Sequence, residues 1–171
     1  MRCKVVTGRV KAHSWDSCRV CGRVVLIEGM VNRMEAAVDS VGRPLAIEWL
    51  DSWVAKPRKS RTRKLADLQA ALEDFADAPQ LLRLNEVNSL GQGLWELKVG
   101  NIRLPFVAAE CPGTVSQEAS HRKLVLPQHV PAPRPGAQCA RATHGFEKKS
   151  ERTPRRELDV AQAIRREDAS R

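Results

Sequence analysis

At 171 residues, with 42% hydrophobic and 29% charged residues, the chain has the size and balance of one modest globular core. Twenty-nine Lys and Arg against twenty Asp and Glu leave a formal net charge of +9, which attracts polyanions over several Debye lengths at low salt and points to nucleic acid or an acidic protein. No stretch approaches the roughly 20 apolar residues of a membrane span, and Arg2 and Lys4 are followed by no sustained apolar run, so the expectation is a cytoplasmic protein with no membrane partner.

Residues 1–22 are basic and lack clear periodicity, and read as an extension outside the main domain. The odd set Cys3, Cys18, Cys21, Cys111 and Cys139, without a secretory signal, speaks against a disulfide framework. Cys18-x-x-Cys21 offers two thiolates that Cys3 or His13 would have to complete into a zinc site, but no second pair follows at finger spacing. Free thiols and no metal are expected.

Residues 23–27, β-branched and apolar between Gly22 and Gly29, predict a first strand. Gly42-Arg43-Pro44 opens a helix with Leu45, Trp49, Leu50, Trp53 and Val54 on one face, ended by Pro57. Six cations follow without an acid: Lys56, Arg58, Lys59, Arg61, Arg63 and Lys64. They read either as solvated surface or as contacts to a nucleic-acid backbone. Leu65, Leu68, Leu72, Phe75 and Ala76 then recur at helical spacing up to Pro79, which predicts a helical hairpin with both tryptophans in its core.

Beyond Pro79 the period changes. Residues 93–99 alternate, Gly100-Asn101 supplies a two-residue turn, and residues 102–107 alternate again, which predicts a β-hairpin. Trp95, Leu97, Val99, Ile102, Leu104 and Phe106 form its buried side, and Glu96, Lys98 and Arg103 are expected to meet on an open sheet face. Residues 108–139 read as an irregular proline-rich insertion, in which 123–126 is a candidate strand. Thr153-Pro154 reads as the N-cap and first-turn proline of a last helix with a narrow apolar stripe, Leu158, Ala161 and Ile164. Phosphate loops, dinucleotide fingerprints, HExxH pairs and serine-hydrolase elbows are absent from the sequence.

Three segments carry a resemblance: Gly42-Arg43-Pro44-Leu45-Ala46-Ile47-Glu48-Trp49-Leu50, Gly93-Leu94-Trp95-Glu96-Leu97-Lys98, and His144-Gly145-Phe146-Glu147-Lys148-Lys149-Ser150-Glu151-Arg152-Thr153-Pro154. In that order they resemble the phage-derived HigB-type toxins of the RelE/ParE superfamily. The resemblance implies an α+β, RelE-like fold: a small antiparallel-rich sheet packed against an N-terminal helical hairpin, with a C-terminal helix. It implies a single toxin domain over residues 23–107 and 140–168, interrupted by 108–139. The function it implies is the toxin of a type II toxin-antitoxin system, a ribosome-associated mRNA endoribonuclease that uses no cofactor. Its partners would be mRNA, the ribosome and a cognate helix-turn-helix antitoxin.

Metal-independent cleavage directs the ribose 2′-hydroxyl at the adjacent phosphate and needs a proton acceptor, a donor to the leaving oxygen and cations around the phosphorane. Glu96 or His144 is the candidate base, Lys98 and Arg103 the candidates for the equatorial oxygens, and Lys148 or Lys149 for the leaving group. The Lys56 to Lys64 block is the candidate RNA-binding surface. Each also has a structural reading: Glu96 as a cross-strand ion pair, His144 as a strand-end residue, the lysines as solvated charge. The chain has no tyrosine, which together with the insertion before His144 supports the alternative of a catalytically inactive, basic RNA- or protein-binding member of the same fold.

Overall fold

The computed structural model describes residues 24–83, 85–110, 123–149 and 152–170, in which seven strands form one mixed sheet and three α-helices cover its two faces. In chain order these are β1 (Val25–Glu28), β2 (Arg33–Ala36), α1 (Leu45–Val54), α2 (Lys59–Asp77), a 3-10 turn (Pro79–Leu81), β3 (Val87–Gly91), β4 (Leu94–Val99), β5 (Ile102–Ala109), β6 (Cys139–Ala142), β7 (Phe146–Glu147) and α3 (Arg155–Ala169). The sheet order is β1-β2-β6-β5-β4-β3, with β7 also paired to β5. Only β2 and β6 run parallel; every other pairing is antiparallel. The α+β class and the C-terminal helix are as expected from the sequence, but the sheet is mixed.

The β4–β5 hairpin turns at Gly100-Asn101, where Gly100 takes a φ of 57° that a side chain resists. Trp95, Leu97, Leu104 and Phe106 point from it toward α1 and α2 and join Leu50, Trp53, Leu68, Leu72 and Phe75 in the main core. Phe106 lies edge-on to Phe75 at 5.5 Å and stacked with Trp95 at 6.2 Å. Burial of each such side chain contributes roughly 1.5–3 kcal/mol. The helix α1 packs on β2, and α2 on β1 and β4. In α1 the inward residues are Ala46, Ile47, Leu50 and Trp53, while Trp49 is only partly buried.

The opposite face carries α3. Leu158 and Ala161 pack on Leu94 and Val107, a second, smaller apolar cluster. The last turn of α3 carries Glu167 and Asp168 beside Arg166, and the helix dipole disfavours the two acids there. Partners offset this: Asp168 accepts from Arg141 Nη1 at 2.8 Å and from the Val38 amide at 3.0 Å, and Glu167 accepts from the Ser40 amide at 2.8 Å. Arg141 also donates to the Glu110 carbonyl and lies 3.7 Å from Glu35, which Arg33 holds at 2.7 Å. At the other end the N-cap is Pro154 rather than Thr153, and no side chain caps the helix.

The segment 123–138 has neither helix nor strand, yet Leu124, Val130 and Ala137 belong to the main core. Buried Asn32 holds it: the side-chain amide donates to the Val125 carbonyl at 2.7 Å and to the Phe75 carbonyl at 2.8 Å, and its oxygen accepts from the Val125 amide at 2.8 Å. A side chain therefore satisfies this backbone where the sequence suggested a strand. The strand β6 ends at Ala142, two residues before His144, and β7 follows to pair with β5. Cys139 within it is disulfide-bonded, which corrects the expectation of free thiols; the other four cysteines lie outside the described residues. No helix among the described residues is long and apolar enough to cross a membrane.

Candidate functional site

The hairpin register places Lys98 directly opposite Arg103, both on the face that carries α3. Arg103 also faces Phe146 of β7, and the Phe146 ring stacks on His144 with centroids 5.5 Å apart. The Lys148 amide donates to the Asn101 carbonyl at 2.7 Å, so Lys148 and Lys149 follow the β4–β5 turn. Glu147 Oε1 accepts from Lys64 Nζ at 2.7 Å and from the Asn101 amide at 3.3 Å, which draws the start of α2 to the same turn. The sheet thus gathers Lys98, Arg103, His144, Lys148 and Lys149 at one end, with the basic block beside them.

Glu96 and Arg103 do not lie on an open face. They are 3% and 6% exposed, and Arg103 Nε sits 3.7 Å from Glu96 Oε2. Arg103 Nη1 donates to the carbonyls of Gly100 and Ile102 at 2.8 and 2.7 Å, while Asn88 reaches Glu96 at 3.5 Å. Burial pulls the Arg103 pKa below its ordinary range and the Glu96 carboxylate pulls it back up; a guanidinium in that range stays charged. The alternation expected this face to be solvated, but Leu94 and Val107 lie on it too, and α3 covers them. Lys98 remains half-buried.

His144 is 7% exposed and engaged at both ring nitrogens. Nε2 lies 3.1 Å from Glu157 Oε2 on α3, and Nδ1 lies 3.1 Å from the Thr143 hydroxyl. A carboxylate can only accept, which assigns the ring proton to Nε2; the single Thr143 hydroxyl proton goes either to Nδ1 or to the Pro105 carbonyl 3.2 Å away. Burial lowers the His144 pKa, and the hydrogen bond and charge of Glu157 oppose this. The ring is therefore neutral at neutral pH. To act as a base it must offer Nδ1, the nitrogen that faces the Thr143 hydroxyl, while Glu157 holds the Nε2 proton. Next to it, a Cβ on Gly145 would overlap the Trp49 ring of α1, so this glycine is where the strand crossing meets the opposite helix layer.

In the basic block, Arg61 and Lys64 lie over the Trp53 ring at 5.4 and 5.9 Å, cation-π contacts that hold the start of α2 to the end of α1. The hydrogen bond from Lys64 keeps Glu147 below the usual carboxylate range, against burial and with help from Asn101 and Arg61. Lys56, Arg58, Lys59 and Arg63 are exposed. The sequence reading missed Thr143, Glu147 and Glu157 as partners. For Glu157 the available signal was an acid in the first turn of a helix that leads away from a histidine strand end.

No cluster of three or more His, Cys, Asp or Glu among the described residues is arranged to hold a metal ion, and Cys3, His13, Cys18 and Cys21 lie outside those residues. No family model matches the chain, and no curated protein matches it.

Proposed function

We propose that this chain is the toxin of a type II toxin-antitoxin pair, an endoribonuclease that cuts mRNA at the ribosome without a metal. The reading is supported by the three ordered motifs and carried by one observation: β7 brings Lys148, from far along the chain, to the β4–β5 turn that Lys98 and Arg103 flank, beside His144. In this reading the scissile phosphate sits against Lys98 and Lys148, with the Arg103 charge behind them. Cleavage by 2′-hydroxyl attack then draws mainly on positioning and on cations around the phosphorane, as phosphoryl-transfer sites allow. A lysine ammonium supplies the proton for the leaving 5′-oxygen. Glu96 is committed to Arg103, so the 2′-hydroxyl proton passes to His144 Nδ1, with the Thr143 hydroxyl turned to the Pro105 carbonyl and Glu157 holding the Nε2 proton. A helix-turn-helix antitoxin would silence the protein by covering the basic end with an acidic segment.

A second reading, a binding-only member of the same fold, is favoured by the burial of Glu96 and Arg103 and by the full engagement of His144. Induced expression of the chain alone in a bacterium separates the two. Growth arrest relieved by a Lys148→Ala/Lys149→Ala double variant supports the nuclease toxin; harmless accumulation at high level leaves only the binder.

A further inference from the structure

Between the first two turns of α2 and the β4–β5 turn lies a hollow of about 820 Å³, open to solvent and lined by Lys59, Ser60, Arg63, Lys64, Asp67, Val99, Gly100 and Asn101. Its volume falls within the roughly 300–1,000 Å³ range of small-molecule sites. Three cations stand on the α2 side, Asp67 is the only acid in the lining, and Val99 with the bare backbone of Gly100 gives an apolar, flat wall. The Asn101 side chain, whose Nδ2 already donates one hydrogen to Glu147 Oε1, keeps its carbonyl and its second amide hydrogen for the same wall. Such a combination matches one nucleotide: a phosphate for Lys59 and Arg63, an uncharged planar base against Val99 and Gly100, and an amide to meet the base edge.

The position matters as much as the lining. The hollow shares the Gly100-Asn101 turn with Lys98, Arg103 and Lys148, and the Lys64–Glu147 bond closes the seam between them. We infer that the hollow is a seat for one unpaired nucleotide of single-stranded RNA, next along the strand from the phosphate at Lys98 and Lys148; this rests on the RNA reading above. Double-stranded RNA is not the occupant, because a paired base has no free edge or face to offer the wall. A free mononucleotide has the same chemistry as one unit of a strand but lacks the second phosphate that reaches the lysine cluster.

The test uses the full chain and a 2′-O-methyl single-stranded RNA octamer, which cannot be cut, with binding followed by anisotropy over a salt series. A Lys59→Gln/Arg63→Gln variant is expected to lose about tenfold in affinity and to flatten the log–log salt slope by roughly 0.7, the worth of the one phosphate that the two cations hold. A Lys123→Gln/Arg134→Gln variant removes the same charge from exposed positions in the 123–138 segment and is expected to bind within about twofold of the wild type. Val99→Asp, which places a carboxylate on the flat wall without touching the cations, is expected to weaken binding at least as much as the first variant. In the wild type, uridine monophosphate should shift the amide resonances of Val99, Gly100 and Asn101, but with far weaker affinity than the octamer. Equal losses in the two charge-removing variants, or none in either, overturn the seat while leaving RNA binding intact. A wild-type chain that holds no RNA overturns the seat together with the reading on which it rests.

Discussion

His144 Nε2 and Glu157 Oε2 meet at 3.1 Å across the space between β6 and α3, and this contact ties the terminal helix to the strand end that carries the candidate site. Burial makes the folded protein bind the His144 proton less readily than the unfolded chain, despite Glu157. Above the ordinary value of 6.5 both states are neutral and the stability is complete; as pH falls below it, the unfolded chain takes up the proton first and stability is lost through the lowered folded pKa. Urea denaturation at a series of pH values should therefore show an acid loss that a His144→Gln variant lacks. In Glu157→Gln the partner that favours the charged ring is gone, so the His144 titration followed by NMR should move further down.

Gly145 has no room for a side chain against Trp49. Gly145→Ala should cost roughly 1–3 kcal/mol through forced displacement of the indole. A double-mutant cycle with Trp49→Leu checks the cause: the two changes should be non-additive, with the second relieving part of the first. Additive losses in thermal denaturation would place the strain elsewhere.

Asn32 satisfies three backbone groups from one buried amide and is 2% exposed. Asn32→Ala leaves the Val125 amide and carbonyl and the Phe75 carbonyl without it, at about 1–3 kcal/mol for each group that water cannot reach. Its expected signature is local as well as global: hydrogen exchange at Val125 should rise more than in the β4–β5 hairpin.

Much of this arrangement was legible because it is local. The alternation and turn residues of the 93–107 stretch specify the hairpin and its register, and Pro44, Pro57 and Pro79 bracket the two helices. Less local pairings were not. The strand β2 reads Arg-Met-Glu-Ala and β6 reads Cys-Ala-Arg-Ala, and both lie in the sheet interior because Glu35 and Arg141 neutralise one another across their parallel register. No periodicity announces an ion pair formed by residues so far apart. The open face assigned to Glu96 and Arg103 failed for the same reason, since only the docking of α3 on Leu94 and Val107 closes it. The gathering of Lys98, Arg103, His144 and Lys148 was proposed from motif order, and the register of β5 with β4 and β7 supplies its geometry.

Lys64 and Glu147 are each about one-third exposed, so their 2.7 Å bond contributes little to stability, at most about 1 kcal/mol. Its larger effect should be on binding. Glu147→Gln removes a negative charge from the edge of the basic end and frees Lys64, and it should raise the affinity for single-stranded RNA by about two- to fivefold at low salt. Anisotropy titration at two salt concentrations checks this; an unchanged or weaker affinity would mean that the strand does not pass this edge.

The most direct measurement incubates the purified chain with ribosome-bound mRNA in excess EDTA and examines the fragment ends. Internal cuts ending in 2′,3′-cyclic phosphate, abolished by 2′-O-methylation at the cut and strongly reduced by Lys98→Ala and Lys148→Ala, are the predicted result. Messenger RNA that is bound but stays intact would contradict the nuclease account and leave the basic end a binding surface alone.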